Sequence, residues 1–80
     1  MNQNRLLCDM DRFQTGTVKK ISRKLALAER LSDFGLMEGS RITVLYKSPF
    51  GDPAAYRINN TAFALRNKDS ALITVSIDKV

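Results

Sequence analysis

Histidine and tryptophan are both absent from these 80 residues, cysteine occurs once, proline twice and glycine four times. Without histidine the chain lacks the one side chain that ordinarily titrates between pH 5 and 8, so the commonest general base is missing. The commonest nitrogen ligand for zinc and other transition metals is missing with it. The single thiol, Cys8, cannot form an internal disulfide, which suits a reducing compartment. With no imidazole to activate it, Cys8 reads as an inert or half-buried thiol rather than a nucleophile. Asp9 and Asp11 are two apart, and a lone carboxylate pair of this kind reads as solvated. Gly35 and Gly39 lack the Lys-Ser/Thr and the strand-loop-helix order of a phosphate-binding loop. Catalysis, a bound cofactor, a metal site and a small-molecule substrate are therefore not expected.

Long apolar runs are missing as well. None approaches the ~20 residues needed to cross a bilayer. The N-terminal Leu6-Leu7-Cys8 falls short of the roughly 7–15 apolar residues of a secretory signal. The chain thus reads as cytoplasmic. Its length gives a single domain, 1–80, that buries about 60–65% of its unfolded surface. Residues 1–9 read as a loosely ordered extension. A hydrophobic fraction of 44% against 26% charged residues is that of a folded protein.

What is plentiful is positive charge. The net charge is +5, from 13 Lys and Arg against 8 Asp and Glu. Most of the excess lies early, around Lys19, Lys20, Arg23 and Lys24. Such a cluster fits phosphates, anionic headgroups or an acidic protein face, although a solvated turn and helix start is the plainer reading.

Local patterns give a mainly β chain with one helix. Thr15-Gly16-Thr17 and the β-branched Val18 and Ile21 predict a strand over roughly 15–22. Ser22 is positioned to cap a helix over 23–34, in which Leu27, Leu31 and Phe34 share a face at i, i+4 and i+7. Gly35 ends that helix, because glycine takes the left-handed position after the last turn without a Cβ penalty. Ile42, Val44 and Tyr46 alternate along a strand, and Ser48 to Pro53 form a loop. Asn59-Asn60 joins two further strands in a type I′ hairpin. Asn67 caps one helical turn over 67–70. Ile73, Val75 and Ile77 face inward along the last strand. About five strands around one amphipathic helix close best as a small barrel. The expected core is Val18, Ile21, Leu27, Leu31, Leu36, Ile42, Val44, Phe63, Leu65, Ile73 and Val75.

Three ordered stretches carry a resemblance. Arg30-Leu31-Ser32-Asp33-Phe34-Gly35-Leu36-Met37-Glu38-Gly39 precedes a strand; Ser48-Pro49-Phe50-Gly51-Asp52-Pro53 and then Ala64-Leu65-Arg66 follow. Their order and spacing, over roughly residues 13–77, resemble the FeoA family. Glu38 stands where that family often has proline, and Asn59-Asn60 where a glycine is common. The resemblance implies an SH3-like barrel in the bacterial cytoplasm that supports ferrous iron uptake. It implies a docking partner, the membrane transporter FeoB with its cytosolic GTP-binding domain, and recruitment to the membrane through that partner alone. Residues placed to meet it are Lys24, Arg30 and Asp33 on the helix side, Leu36 and Met37 at the helix exit, and Pro49, Phe50 and Asp52 in the loop.

Two rivals stand beside this reading. The basic composition suits a small nucleic-acid-binding barrel, with Tyr46-Lys47 and Tyr56-Arg57 as its meagre stacking platform. A relative of the FeoA-like domain of iron-dependent repressors is the other, although no helix-turn-helix region precedes the barrel here.

Overall fold

In the computed structural model, which describes residues 3–77, the chain is mainly β, as expected. It has six strands rather than about five: β1 (Gln3–Leu6), β2 (Thr15–Ile21), β3 (Arg41–Lys47), β4 (Ala54–Ile58), β5 (Thr61–Leu65) and β6 (Ile73–Ile77). Two short helices, α1 (Ala28–Asp33) and α2 (Asn67–Ser70), interrupt them. All strand pairs are antiparallel, in the order β1-β6-β2-β3-β4-β5. Inward side chains of β2 to β6 meet Leu25, Leu31 and Leu36 in a single cluster, so the sheet bends around one core.

The additional strand lies in the segment expected to be a loose extension. Gln3 to Leu6 pair with Ile77 to Thr74, and a 3-10 turn at Leu7–Asp9 follows. Leu7 and Met10 are fully buried. The first two residues of that segment lie outside the described residues. Lys47 reaches the same turn, its Nζ donating to the Cys8 carbonyl at 3.5 Å.

Helix α1 is shorter than the expected 23–34. The Leu25 and Ala28 amides donate to the carbonyls three residues back, on Ser22 and Leu25, so the chain passes through two tight turns first. These turns deliver Leu25 to the core directly from the end of β2. Ser22 caps the first of them, its hydroxyl accepting from the Lys24 amide at 3.2 Å. The helix exit follows expectation. Gly35 has φ of 101°, its amide donates to Ser32, and the Leu36 amide reaches back to Leu31. That pair of bonds is the Schellman motif, with Leu36 folded onto the core beside Leu31.

Three further details depart from the sequence pattern. A register shift between Val44 and Tyr46 makes Leu45 an extra residue in β3, which moves Tyr46 from the core face to the outer face. In the hairpin only Asn59 has positive φ (55°), so the turn is not of type I′, which needs it at both central residues. Asn67 does not cap α2: Arg66 holds the cap position, and Asp52 reaches across to accept from the Asn67 amide at 2.9 Å. Most of the expected core is buried, with Ile21, Leu27 and Phe63 packed at its margin. Tyr56, Ile58, Ala54 and Ile77 belong to it too.

Candidate interaction surface

The expected docking residues separate into two groups. Strand β4 runs from the loop at 48–53 to the hairpin at Asn59, a span of ~13 Å at about 3.3 Å per residue. The helix exit packs at the hairpin end, since a Cβ on Gly35 would lie 3.3 Å from Ile58 and 3.4 Å from Asn59. Met37 therefore sits at one end of β4, and Pro49, Phe50 and Asp52 sit at the other.

At the hairpin end, Phe34 leaves α1 half-exposed and stacks on Phe63 of β5, with centroids 6.3 Å apart and an interplanar angle of 19°. Phe63 also leans against Tyr56 at 6.3 Å. The stack thus continues from the surface into the core. Arg30 and Asp33 are exposed on α1 and make no ion pair with a described residue. Met37 is 53% exposed in the turn that follows. Leu36 must leave the docking set: at 1% exposure it is a core residue, held inward by the Schellman geometry. Lys24 is exposed, in the turn between β2 and α1.

At the loop end, the Gly51 amide donates to Ser48 at 2.7 Å, closing a turn with Pro49 and Phe50 at its tip. Phe50 is 96% exposed. Asp52 is exposed but committed, because its carboxylate caps α2. Its first role is to fasten the loop to the barrel.

One solvent-facing aromatic was not singled out by the sequence, and a second was read there both as core-facing and as part of a stacking platform. Phe13 is 67% exposed, has φ of 71°, and carries the Arg12 guanidinium 4.5 Å above its ring. The turn from Asp11 to Gln14 that places it is closed by the Gln14 amide on the Asp11 carbonyl. Asp at the first position of a turn was the available signal. Tyr46, half-exposed, is turned outward by the bulge in β3.

Two titrating groups are shifted by their surroundings. Burial, and then the neighbouring Asp9 carboxylate, push the Cys8 thiol up from its ordinary value, so it stays protonated at neutral pH. Burial also raises Tyr56, whose hydroxyl has no hydrogen-bond partner among the described residues. Ser70 lies near enough to offset part of that shift, but its own hydroxyl donates to the Asn67 carbonyl at 3.4 Å. Among the described residues, no three Cys, Asp or Glu side chains gather into a ligand set. No helix among them is long and apolar enough to cross a membrane. Tyr56 is fully buried, which removes half of the stacking platform that a nucleic-acid role required.

The family model for the FeoA domain matches residues 5–77. The chain belongs to the FeoA family. FeoA proteins are associated with ferrous iron transport, and solved structures share this architecture. The FeoA protein of Chlorobium tepidum is 29% identical, with a TM-score of 0.84 over 91% of this chain and 70% of that one. The zinc-complexed FeoA of Stenotrophomonas maltophilia, described as a prokaryotic SH3 domain protein, is 24% identical, with a TM-score of 0.74 over 94% of this chain and 88% of that one. The SH3-like fold expected of the family is thus the one observed. The same fold recurs within a manganese-dependent transcriptional repressor, at 23% identity and a TM-score of 0.82, over 96% of this chain and 43% of that one. No curated protein sequence matches the chain.

Proposed function

We propose that this FeoA protein is a non-enzymatic accessory of ferrous iron uptake, which docks in the cytoplasm on the GTP-binding domain of a FeoB-type transporter. Recruitment to the membrane then comes through that partner. The observation that carries the reading is the half-exposed Phe34–Phe63 stack at the helix exit. It is an apolar centre with Met37 near it and charged Arg30 and Asp33 at the rim, the anatomy of a small protein–protein interface. Absence of histidine and the raised Cys8 thiol support a role without turnover.

The test is co-purification with the cytosolic part of the transporter, with its GTPase rate measured with and without this protein. Charge reversal at Arg30 and Asp33 is expected to weaken binding several-fold while the melting temperature stays within about 2 °C, as for surface substitutions. Unchanged binding by the folded double variant removes the helix exit from the interface. Failure of the unaltered protein to bind at all removes the docking role.

A further inference from the structure

We infer that the free edge of β5 pairs with the β5 edge of a second copy of this chain, joining two six-stranded sheets into one across a twofold axis at Phe63. Strand β5 ends the sheet, bonded to β4 on one side with no described strand on the other. The two-residue hairpin fixes which backbone groups face outward. Ile58 and Thr61 flank the turn as a hydrogen-bonded pair, and the ladder continues without a bulge, so Phe63 and Leu65 also bond to β4. The N–H and C=O of Ala62 and of Ala64 are left pointing away from the sheet, and no described backbone group meets them.

Natural edges are blunted by charge, proline, a bulge or a covering element. The opposite edge, β1, reads Gln3-Asn4-Arg5-Leu6 and carries such a charge. Strand β5 reads Thr61-Ala62-Phe63-Ala64-Leu65 and carries none. Its exposed outer-face side chains are both alanine, so nothing bulky shields the backbone.

The sequence is also symmetric about Phe63. With the twofold axis there, Ala62 meets Ala64 of the second copy and Ala64 meets its Ala62, each as a hydrogen-bonded pair. Every outward N–H and C=O of the strand is then satisfied. Phe63 meets its own copy as a non-hydrogen-bonded pair, where side chains approach most closely. The Phe34–Phe63 stack would continue into the second stack. In a protein of net charge +5, this register also sets no like charges opposite each other: Arg66 falls against Asn60, and Thr61 against Leu65. Five residues a side bury less than the roughly 1,200 Å² of a standard interface, so the dimer is weak and forms at high micromolar concentration or above. A symmetric contact of this kind closes at two copies.

Sedimentation and amide exchange between ~10 µM and ~1 mM test the pairing. The expected result is reversible dimerisation, with exchange at Ala62 and Ala64 slowing as concentration rises. Ala64→Pro removes an outward N–H that β4 does not use and is expected to weaken the dimer about tenfold or more. Ala62→Lys with Ala64→Lys does so by charge and serves where the proline variant folds poorly. A monomer at ~1 mM, a dimer indifferent to these variants, or dilution shifts confined to β1 overturns the assignment. Protection of Ala62 and Ala64 only on addition of the transporter's cytosolic domain overturns it too, assigning the edge to a strand from that partner.

Discussion

Replacing Asp52 by alanine is expected to destabilise the barrel even though the side chain is exposed. Asp52 Oδ1 accepts from the Asn67 amide at 2.9 Å, one of the orphan donors at the start of α2, and the cap residue Arg66 makes no side-chain bond of its own. Removing a side-chain cap costs about 1 kcal/mol, within a range of roughly 0.5–2. For a domain of this size that lowers the melting temperature by about 4–8 °C. The cost should be felt at both ends of the bond, since the loop of Pro49 and Phe50 loses its tie to the barrel as α2 loses its cap. Asp52→Asn keeps an oxygen acceptor and is expected to recover most of the loss. Circular dichroism melts of the three proteins at neutral pH decide the matter. An unshifted melting temperature in the alanine variant refutes the capping argument and returns Asp52 to the surface residues free to meet a partner.

Gly35→Ala forces an L-residue to φ of 101° and brings a Cβ within 3.3 Å of Ile58, whereas Gly39→Ala at φ of 94° enters open space. Both bear a backbone cost of about 1–2 kcal/mol, and urea midpoints should place Gly35→Ala clearly below Gly39→Ala. Equal midpoints mean that the Ile58 contact yields freely. Tyr56→Phe deletes a buried hydroxyl without a partner and is expected to leave stability unchanged or raise it. A loss above about 1 kcal/mol shows that the hydroxyl is satisfied after all. Cys8 and Tyr56 are both raised in the folded chain, so the unfolded chain releases their protons first. The contribution of Cys8 is complete below about 8.5 and that of Tyr56 below about 10, and each is lost as pH climbs from there through its raised folded value, which melts between pH 7 and about 11 will detect. Cys8→Ser should delay the onset, and a flat profile contradicts the burial of both groups.

Local signals carried much of the architecture. Strand β6 alternates cleanly from Ile73, and Gly35 marks the helix exit because the left-handed position there is a backbone requirement. The failures share a different cause. Gln3 to Leu6 have no alternation of their own, and they form a strand because β6 offers them an edge from the far end of the chain. Leu25 to Leu27 favour a helix locally, but burial of Leu25 straight after β2 overrides that preference. Tyr46 obeys the alternation up to Val44 and then loses it to one extra residue, which no two-residue period can announce. The expected docking residues were divided for the same reason. Met37 was chosen at the helix exit and Phe50 in a loop, and β4 holds those two segments at opposite ends. Leu36 was read as a docking residue as well as a core one, and packing claims it, while Asp52, exposed as read, is held by a distant amide.

Strand β6 lies between β1 and β2, so two strands that neighbour each other in sequence are joined in the sheet only through a strand more than fifty residues away. Until β6 docks, β1 has no neighbour and β2 has only β3. Docking β6 closes the longest loops of the sheet, and pairing over such sequence separations belongs to the millisecond-to-second regime of small barrels rather than the microseconds of helical bundles.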